Sequence, residues 1–273
     1  MKYRLTEEKK DFNGRTIHRI ICVTAFDGVK EGELGGWIEK ESNLSQDGNA
    51  WIYKDAKAYG NAKIYRNAKI YGNAEVHGNA KVSGNAWVCG NAFVSGNAWV
   101  YGNAVVSGNA EVSGNAFVGD CAAVCAGACV GDHVAICGYA FVGGDACVKD
   151  NAVICDYAQI VGYAQIGGWV HIVGNAHIGG NVGIFGNAQI GGNAQVCERK
   201  DFVVFKNHFS SGRYFTWTRS DNMWSVGCFR GTGDELIAKA YQDNEAKGKF
   251  YEAYVDFVQR LEIIEEEMEK SLQ

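Results

Sequence analysis

Apolar residues recur at a fixed spacing of six over more than half of the chain. Alanine or valine occupies residue 50 and every sixth residue to 194, which makes 25 rungs. Two residues after each comes a second apolar position, which is Ile or Val in every rung except at Ala58. Successive side chains of a strand point to opposite faces. Residues six apart can therefore all point the same way only if a turn after each short strand brings the next strand into the same orientation.

This spacing predicts a triangular coil in which three sides of six residues make one turn of eighteen. The Ala and Val/Ile columns point inward, and the two residues that flank Val/Ile point outward. Gly-Asn forms the corner, because these residues best tolerate a left-handed backbone. Residues eighteen apart then stack, which predicts asparagine ladders such as Asn67, Asn85 and Asn103. About eight coils would form a prism roughly 40 Å long.

The pattern outside the repeat predicts a small cap at each end of this mainly β fold. We expect a β cap at 1–48, the β-helix at 49–197 and an α+β module at 198–273. Alternation at 15–26 indicates a capping strand, and three strands are expected at 201–205, 212–219 and 223–229, with Ser-Asp-Asn as the last turn. Thr232 and Glu235 match a capping box that begins one helix. A second helix from about Lys249 is expected to bury a set of apolar residues. These residues are Phe250, Tyr254, Phe257, Leu261 and Ile264.

Composition indicates one elongated, mildly acidic domain. The 273 residues include 36 glycines and no proline, and the formal charge is -5. The first residues are charged and no apolar run approaches a membrane span, so we expect a soluble, cytoplasmic protein with no membrane partner. Most of the ten cysteines replace repeat residues, which favours reduced, structural thiols. Cys137 stacks on Cys155, and Cys129 on Cys147, where packing rather than a disulfide is expected.

The repeat phrase Val/Ile-x-Gly-Asn-Ala-x resembles the hexapeptide-repeat proteins. That resemblance implies a left-handed parallel β-helix and a trimer. It also implies two activities known in the family, acyl transfer from coenzyme A or acyl carrier protein and γ-class carbonic anhydrase chemistry. The repeat is a scaffold, so it indicates the fold far more specifically than the reaction.

Segments outside the repeat resemble proteins from bacteria and prophages. Val23-Thr24, Gly35-Gly36-Trp37, Leu44-Ser45 and Trp51-Ile52-Tyr53 are similar to the N-terminal part of a group of acyltransferase-like repeat proteins. The phrase "GCFRGTGDEL" and the helix after it are similar to a small module of phage and prophage proteins. The resemblance implies a phage or prophage origin without indicating a shared activity.

Lysine and tyrosine dominate the outward positions of the first coils. Lys57 and Tyr59, and likewise Lys63 and Tyr65, are two residues apart and so point to the same outer face. Such a surface could stack bases and hold phosphates, which leaves a nucleic-acid partner open, but a solvated face protected by lysine is the simpler interpretation.

Between 87 and 141, large apolar residues occupy outward positions in place of lysine and tyrosine. Residues eighteen apart share a face, which puts Trp87 and Phe141 on one face, Trp99 and Phe117 on a second, and Phe93 on the third. Exposed apolar residues mark interfaces, so we expect all five residues in an oligomer interface, and two adjacent stripes suit a homotrimer of prisms. The alternative is that the C-terminal segment folds back over one stripe.

The corners change between 119 and 169, where asparagine gives way to other residues. Tyr139 and Tyr157 stack on one edge, whereas Tyr163 and Trp169 lie elsewhere. These residues are candidates for ligand or partner binding, because the scaffold itself needs only asparagine. A contact with the C-terminal segment or another subunit explains them equally well.

Candidate catalytic chemistry is sparse. His133, on a corner, is the best candidate for the general base of an acyltransferase, but no loop interrupts the rungs to wall off a substrate. The carbonic anhydrase hypothesis is disfavoured, because His171 and His177 are six apart, lie on different sides and cannot converge on one metal within a chain, although His133 lies at a suitable distance before them. No CxxC pair is present among the clustered cysteines, so we expect no metal site.

These observations favour a non-catalytic oligomeric binding or assembly protein of phage or prophage type. Sequestration of a host protein or nucleotide ligand, as a counter-defence, is one hypothesis for its role. The alternative is an acyltransferase, for which coenzyme A would be the cofactor; otherwise we expect no cofactor.

Overall fold

The computed structural model describes residues 1–209 and 212–271 and contains a parallel β-solenoid with a cap at each end. An N-terminal hairpin joins β1 (Tyr3–Phe12) to β2 (Arg15–Cys22), and β3 (Leu34–Ile38) follows. A 3₁₀ turn covers Glu41–Asn43 and another covers Arg199–Asp201. The strands β4–β28, numbered in chain order, form the solenoid over residues 51–196.

The solenoid strands form three faces, which we name by number. Face 1 comprises β4 Trp51–Ile52, β7 Lys69–Ile70, β10 Trp87–Val88, β13 Val105–Val106, β16 Ala123–Val124, β19 Phe141–Val142, β22 Gln159–Ile160, β25 His177–Ile178 and β28 Gln195–Val196. Face 2 comprises β6 Lys63–Ile64, β9 Lys81–Val82, β12 Trp99–Val100, β15 Phe117–Val118, β18 Ala135–Ile136, β21 Val153–Ile154, β24 His171–Ile172 and β27 Gln189–Ile190. Face 3 comprises β5 Lys57–Ala58, β8 Glu75–Val76, β11 Phe93–Val94, β14 Glu111–Val112, β17 Cys129–Val130, β20 Cys147–Val148, β23 Gln165–Ile166 and β26 Gly183–Ile184, and β1–β3 extend it.

The eighteen-residue register is confirmed. Trp87 pairs with Val105, and Val105 pairs with Ala123, in parallel strands one coil apart. Both inner columns are buried through all 25 rungs of residues 50–196. They fill the prism with small and β-branched side chains alone, so burial of apolar surface stabilises every coil in the same way.

The stack starts earlier than the repeat and has about nine turns rather than eight. Ile38 pairs in parallel with Ala58, and Leu44 with Ile64, so this first coil is twenty residues long. Small residues allow it to pack closely. A Cβ on Gly35 would lie 2.6 Å from the Trp51 ring, and one on Gly36 would lie 2.5 Å from the Ala56 carbonyl oxygen. The Gly35-Gly36-Trp37 motif is therefore explained by packing.

Left-handed backbone at each corner keeps the coils in register. Gly84 has a φ of +70°, and a Cβ there would lie 2.6 Å from the carbonyl oxygen of Gly102 in the next coil. Aspartate replaces glycine at some corners, as at Asp150, whose φ is +61°. Its carboxylate accepts a hydrogen bond of 2.7 Å from the Gly168 N–H one coil later. The side chain thus offsets part of the strain of its own backbone.

The predicted asparagine ladder is confirmed on the edge between faces 2 and 1. The Asn67 side-chain amide donates to Asn85 Oδ1, and the Asn85 amide donates to Asn103 Oδ1, each at a distance of 3.0 Å. Ladders of this kind satisfy polar groups of the corners without burying them.

One thiol pair is oxidised, which corrects the expectation of packed, reduced cysteines there. Cys137 and Cys155 form a disulfide between neighbouring coils of face 2, with their Cα atoms 4.7 Å apart. That spacing lies within the ordinary range for disulfides, and the two side chains leave the same side of the face. Cys129 and Cys147, stacked in the same way on face 3, are free thiols.

The C-terminal module is a four-stranded antiparallel sheet with two helices in the described part of the chain. Its elements are β29 Phe202–Lys206, β30 Tyr214–Thr218, β31 Met223–Val226, β32 Phe229–Gly231, α1 Gly233–Asp243 and α2 Glu245–Ser271. The third predicted strand is divided, because Gly227 turns the chain with a φ of +61°. The predicted capping box is confirmed: the Thr232 hydroxyl accepts from the Glu235 N–H, and the Glu235 carboxylate accepts from the Thr232 N–H.

Helix α2 buries a different side from the predicted one. Tyr251, Val255 and Val258 are in the module core, whereas Phe257 and Ile264 are 51% and 43% exposed. The helix carries two apolar stripes, and only the contact with the sheet selects between them. Within the chain described, no helix combines the length and apolar character needed to cross a membrane.

We expect Gly84→Ala to destabilise the protein by about 1–3 kcal/mol, the usual cost of a left-handed conformation at a non-glycine residue. Gly84→Asp should recover part of this loss, since its carboxylate can accept from the Gly102 N–H. Denaturant unfolding followed by circular dichroism measures both. Gly131→Ala is the control, because a Cβ there meets only Ser113 Oγ, at 3.6 Å. Equal stability of Gly84→Ala and wild type would contradict the corner argument.

Thiol titration in denaturant tests the disulfide. Without reductant we expect eight reactive thiols, which is the ten cysteines of the sequence less Cys137 and Cys155. After reduction all ten should react. Peptide mapping under non-reducing conditions should link the segments that contain these two residues, and Cys137→Ser should leave Cys155 titratable.

Candidate functional site

The lysine and tyrosine pairs of the first coils lie on different faces and do not form one surface. Lys57 and Tyr59 are on face 3 under the N-terminal hairpin, where Tyr59 is 8% exposed. The Tyr59 hydroxyl donates to a Glu75 carboxylate oxygen at 3.0 Å, and the Lys57 ammonium lies 3.3 Å from the other. Burial, with Glu75 close by, raises the pKa of Tyr59 to about 12. This pair is engaged in packing.

Lys63 and Tyr65, on face 2, remain accessible. They line an open groove of about 490 Å³ together with Glu41 and Gln46 from the segment before the repeat. Lys63 pairs with Lys81 on the next strand, and the Lys81 ammonium lies 5.9 Å from the centre of the Trp99 ring. This end of face 2 therefore offers two stacked cations next to aromatic rings.

Apolar side chains form stripes on faces 1 and 2, as the register requires. Trp87 and Phe141 on face 1 are 48% and 37% exposed, and Trp99 on face 2 is 38% exposed. The Phe117 ring packs edge-on against Trp99 at 5.4 Å between centroids. On face 3, Phe93 is 42% exposed, and Phe185 at the far end of the face is 61% exposed. Two neighbouring faces thus present large apolar surfaces.

The C-terminal module does not cover these stripes, so the fold-back alternative is wrong. The module docks on the last coil instead. The Gln189 N–H donates to Thr216 Oγ1 at 2.9 Å, and the Gln195 N–H donates to Ser220 Oγ at 2.7 Å. Phe202 and Val204 pack on the end of the solenoid core. The module therefore closes the open end of the prism, several coils from Trp87 and Trp99.

The altered corners place aromatic rings on all three edges. Tyr139 and Tyr157 stack with ring centroids 5.1 Å apart and planes 3° from parallel, and both are more than half exposed. They lie on the edge between faces 2 and 1. Tyr163 lies on the edge between faces 1 and 3, and Trp169 on the third edge. Of these four candidates, only the two stacked tyrosines form a shared surface.

His133 extends an asparagine ladder. The chain of Asn61, Asn79, Asn97 and Asn115 ends at His133, whose Nε2 lies 3.0 Å from the Asn115 side-chain nitrogen. Since the amide nitrogen donates, the arrangement assigns Nε2 as the acceptor. His133 thus occupies a structural position on an exposed edge, with the lone pair of Nε2 engaged.

The remaining histidines of the solenoid are separate. His171 is on face 2 and His177 on face 1. His77 stacks on Tyr59 at 4.9 Å, and burial lowers its pKa. Over the described residues, no group of three or more His, Cys, Asp or Glu side chains is placed to hold a metal ion.

A groove of about 230 Å³ between face 2 and the module was not found from the sequence. His171 and Gln189 line one side of it, and Ser225, Cys228 and Arg230 the other. The Arg230 guanidinium donates to Ser225 Oγ at 3.1 Å and to the Asp221 carboxylate at 2.5 Å. The groove joins residues almost sixty positions apart, so no local pattern could indicate it.

Comparison with known proteins detects the repeat. A family profile described as YdcK Beta solenoid repeat matches residues 86–102 and, overlapping, residues 92–108. The protein named uncharacterized acetyltransferase YdcK, from Escherichia coli strain K12, is 40% identical over 60 residues. The match covers 19% of this chain and 18% of that relative, so it concerns a small part of each protein. The chain is therefore a β-solenoid that is similar to the YdcK repeat over residues 86–108.

Proposed function

We propose that the chain is a non-catalytic assembly protein, a homotrimer whose solenoid binds its partners through its outer surface. The observation that carries this proposal is the pair of apolar stripes on faces 1 and 2. The protein's own module leaves them exposed, and contiguous apolar surface of this kind is characteristic of interfaces.

The two stripes suit a closed ring of three chains. Each chain offers face 1 to one neighbour and face 2 to the other, so the contact is heterologous and closes after three copies. The edge between the two faces then points toward the three-fold axis. The stacked Tyr139 and Tyr157 lie on that edge, whereas Phe93, on face 3, lies outside the contact.

A second surface remains for a partner. The accessible end of face 2 combines Lys63, Lys81 and Tyr65, which suits an anionic ligand that carries a ring system. Phage or prophage origin, a cytoplasmic location, and sequestration of a host protein or nucleotide stay predictions from the sequence.

Sedimentation equilibrium tests the trimer. We expect about 89 kDa, three times 29.6 kDa. Trp87→Lys and Trp99→Lys should each weaken the association on the order of tenfold or more, because buried tryptophans contribute heavily to interfaces. Tyr163→Lys, on an edge outside the two stripes, is the matched control and should leave the mass unchanged. A wild-type monomer at micromolar concentration would exclude the ring.

An acyltransferase that uses coenzyme A is the second candidate, supported by the name of the Escherichia coli relative. The thermal-shift response to coenzyme A and acetyl-coenzyme A separates the two proposals. Binding at a hundred times Kd would stabilise the fold by about 2.7 kcal/mol and raise Tm by a few degrees. For an assembly protein we expect no acetyl transfer, and any shift should be the same with coenzyme A as with ADP, because the Lys63 surface suits either anionic nucleotide.

The His133→Ala variant sharpens the comparison. If acetyl transfer is detected and survives this substitution, His133 is not the base. If transfer is detected and lost, and the variant keeps its wild-type mass and Tm, the acyltransferase candidate replaces the assembly proposal.

A further inference from the structure

Helix α2 carries an apolar stripe that its own module covers only in part. Its members alternate at spacings of four and three residues along the helix. They are Phe250, Tyr254, Phe257, Leu261, Ile264 and Met268. This is the heptad spacing that brings two helices together along a seam. The fully buried contacts of α2 are Tyr251, Val255 and Val258, and Phe250 and Tyr254 pack beside them, so the part of the stripe after Tyr254 is additional to the module core.

The first half of the stripe packs against the module, and the second half is exposed to solvent. The Phe250 ring stacks on Phe209 at 3.9 Å, and Tyr254 packs against Phe205 at 5.1 Å. By contrast, Phe257, Ile264 and Met268 are 51%, 43% and 59% exposed. The open part of the seam therefore runs from residue 257 to residue 268.

Ion pairs hold the open half in place. Glu265 pairs with Arg219, and Glu269 lies 2.8 Å from the Lys200 ammonium. Both contacts anchor the flank of α2 that faces the protein. The apolar seam is thereby held facing away, as a fixed surface rather than a loose end.

We propose that this seam pairs antiparallel with the same segment of α2 from a second copy of the chain. In that register, Leu261 packs on Ile264 of the second copy and Phe257 packs on Met268 of the second copy, with the reciprocal contacts repeated by two-fold symmetry. The occupant is a second copy because a seam of this kind is complementary to itself.

Charge supports the antiparallel direction. Arg260 and Glu267 are both exposed and occupy equivalent flanking positions one heptad apart, on the side of the seam away from the module. An antiparallel pair brings Arg260 opposite Glu267 of the second copy, twice over. A parallel pair would instead need the flank of Val258 and Glu265, which α2 uses against its own chain.

The contacts of α2 with its own chain leave the outer flank of the seam free. Glu265 and Glu269 bind Arg219 and Lys200 on one flank, whereas Arg260 and Glu267 are exposed on the other. This contact is independent of faces 1 and 2 and could link two chains whether or not the trimer forms.

Photo-crosslinking in the full chain tests the seam. The photoreactive residue p-benzoylphenylalanine replaces Ile264, and light- and heavy-isotope chains are mixed. We expect mixed-isotope crosslinks that join this position to the peptide containing Leu261. Crosslinks only within one chain, only to solenoid peptides, or to no peptide would overturn the proposal. A trimer without this crosslink refutes the seam alone, and a dimer with it refutes the trimer alone.

Charge reversal tests the register. Measured by sedimentation in a background that carries Trp87→Lys and Trp99→Lys, Ile264→Lys should weaken self-association at least tenfold. Gln259→Lys, on the opposite side of α2, introduces the same charge and should have no effect. Arg260→Glu should weaken the pair, and Arg260→Glu combined with Glu267→Arg should restore it. Failure of the double variant to recover, with helix content unchanged, would exclude the antiparallel register.

Discussion

The structure depends on the left-handed corner that ends each rung. Every side of the prism contains a strand of two residues, so the chain must turn a corner every six residues. A residue with positive φ makes this corner without lengthening the turn. At Gly84 the next coil approaches too closely for a Cβ without displacement. At Asp150 the carboxylate compensates by binding the next coil. The corners thus connect the geometry of one residue to the stacking of whole coils.

Features that follow from the six-residue period could be predicted from the sequence. Features that depend on which segments pack together in the folded chain could not. The pairing of Trp87 with Val105 and the Asn67 ladder follow from arithmetic on a period of six. Helix α2 has two apolar stripes, and its sequence does not say which one meets the sheet. The Cys137–Cys155 bond depends on oxidation as well as on stacking. The groove at Arg230 exists only because the module docks on the last coil.

The outer surface separates structural from functional candidates. Lys57, Tyr59 and His133 each have a packing or ladder role that accounts for their presence. Trp87, Trp99 and the stacked Tyr139 and Tyr157 contact neighbouring side chains as well, but all four keep more than a third of their surface exposed. Burial and hydrogen bonding therefore reduce the candidates from sequence to those that face outward, and the assembly proposal rests on these.

Stacking at an interval of eighteen also restricts how such a chain can change in length. Removing one whole coil would shorten the prism by about 4.8 Å and leave every later residue on its original face. Removing a single rung would rotate everything after it by a third of a turn, which would carry Phe141 to another face and turn the C-terminal module with it. The twenty-residue first coil shows that two extra residues are absorbed only where the cap begins. Insertions and deletions in proteins of this type should therefore occur in whole coils, so the length of the prism changes in steps of one coil.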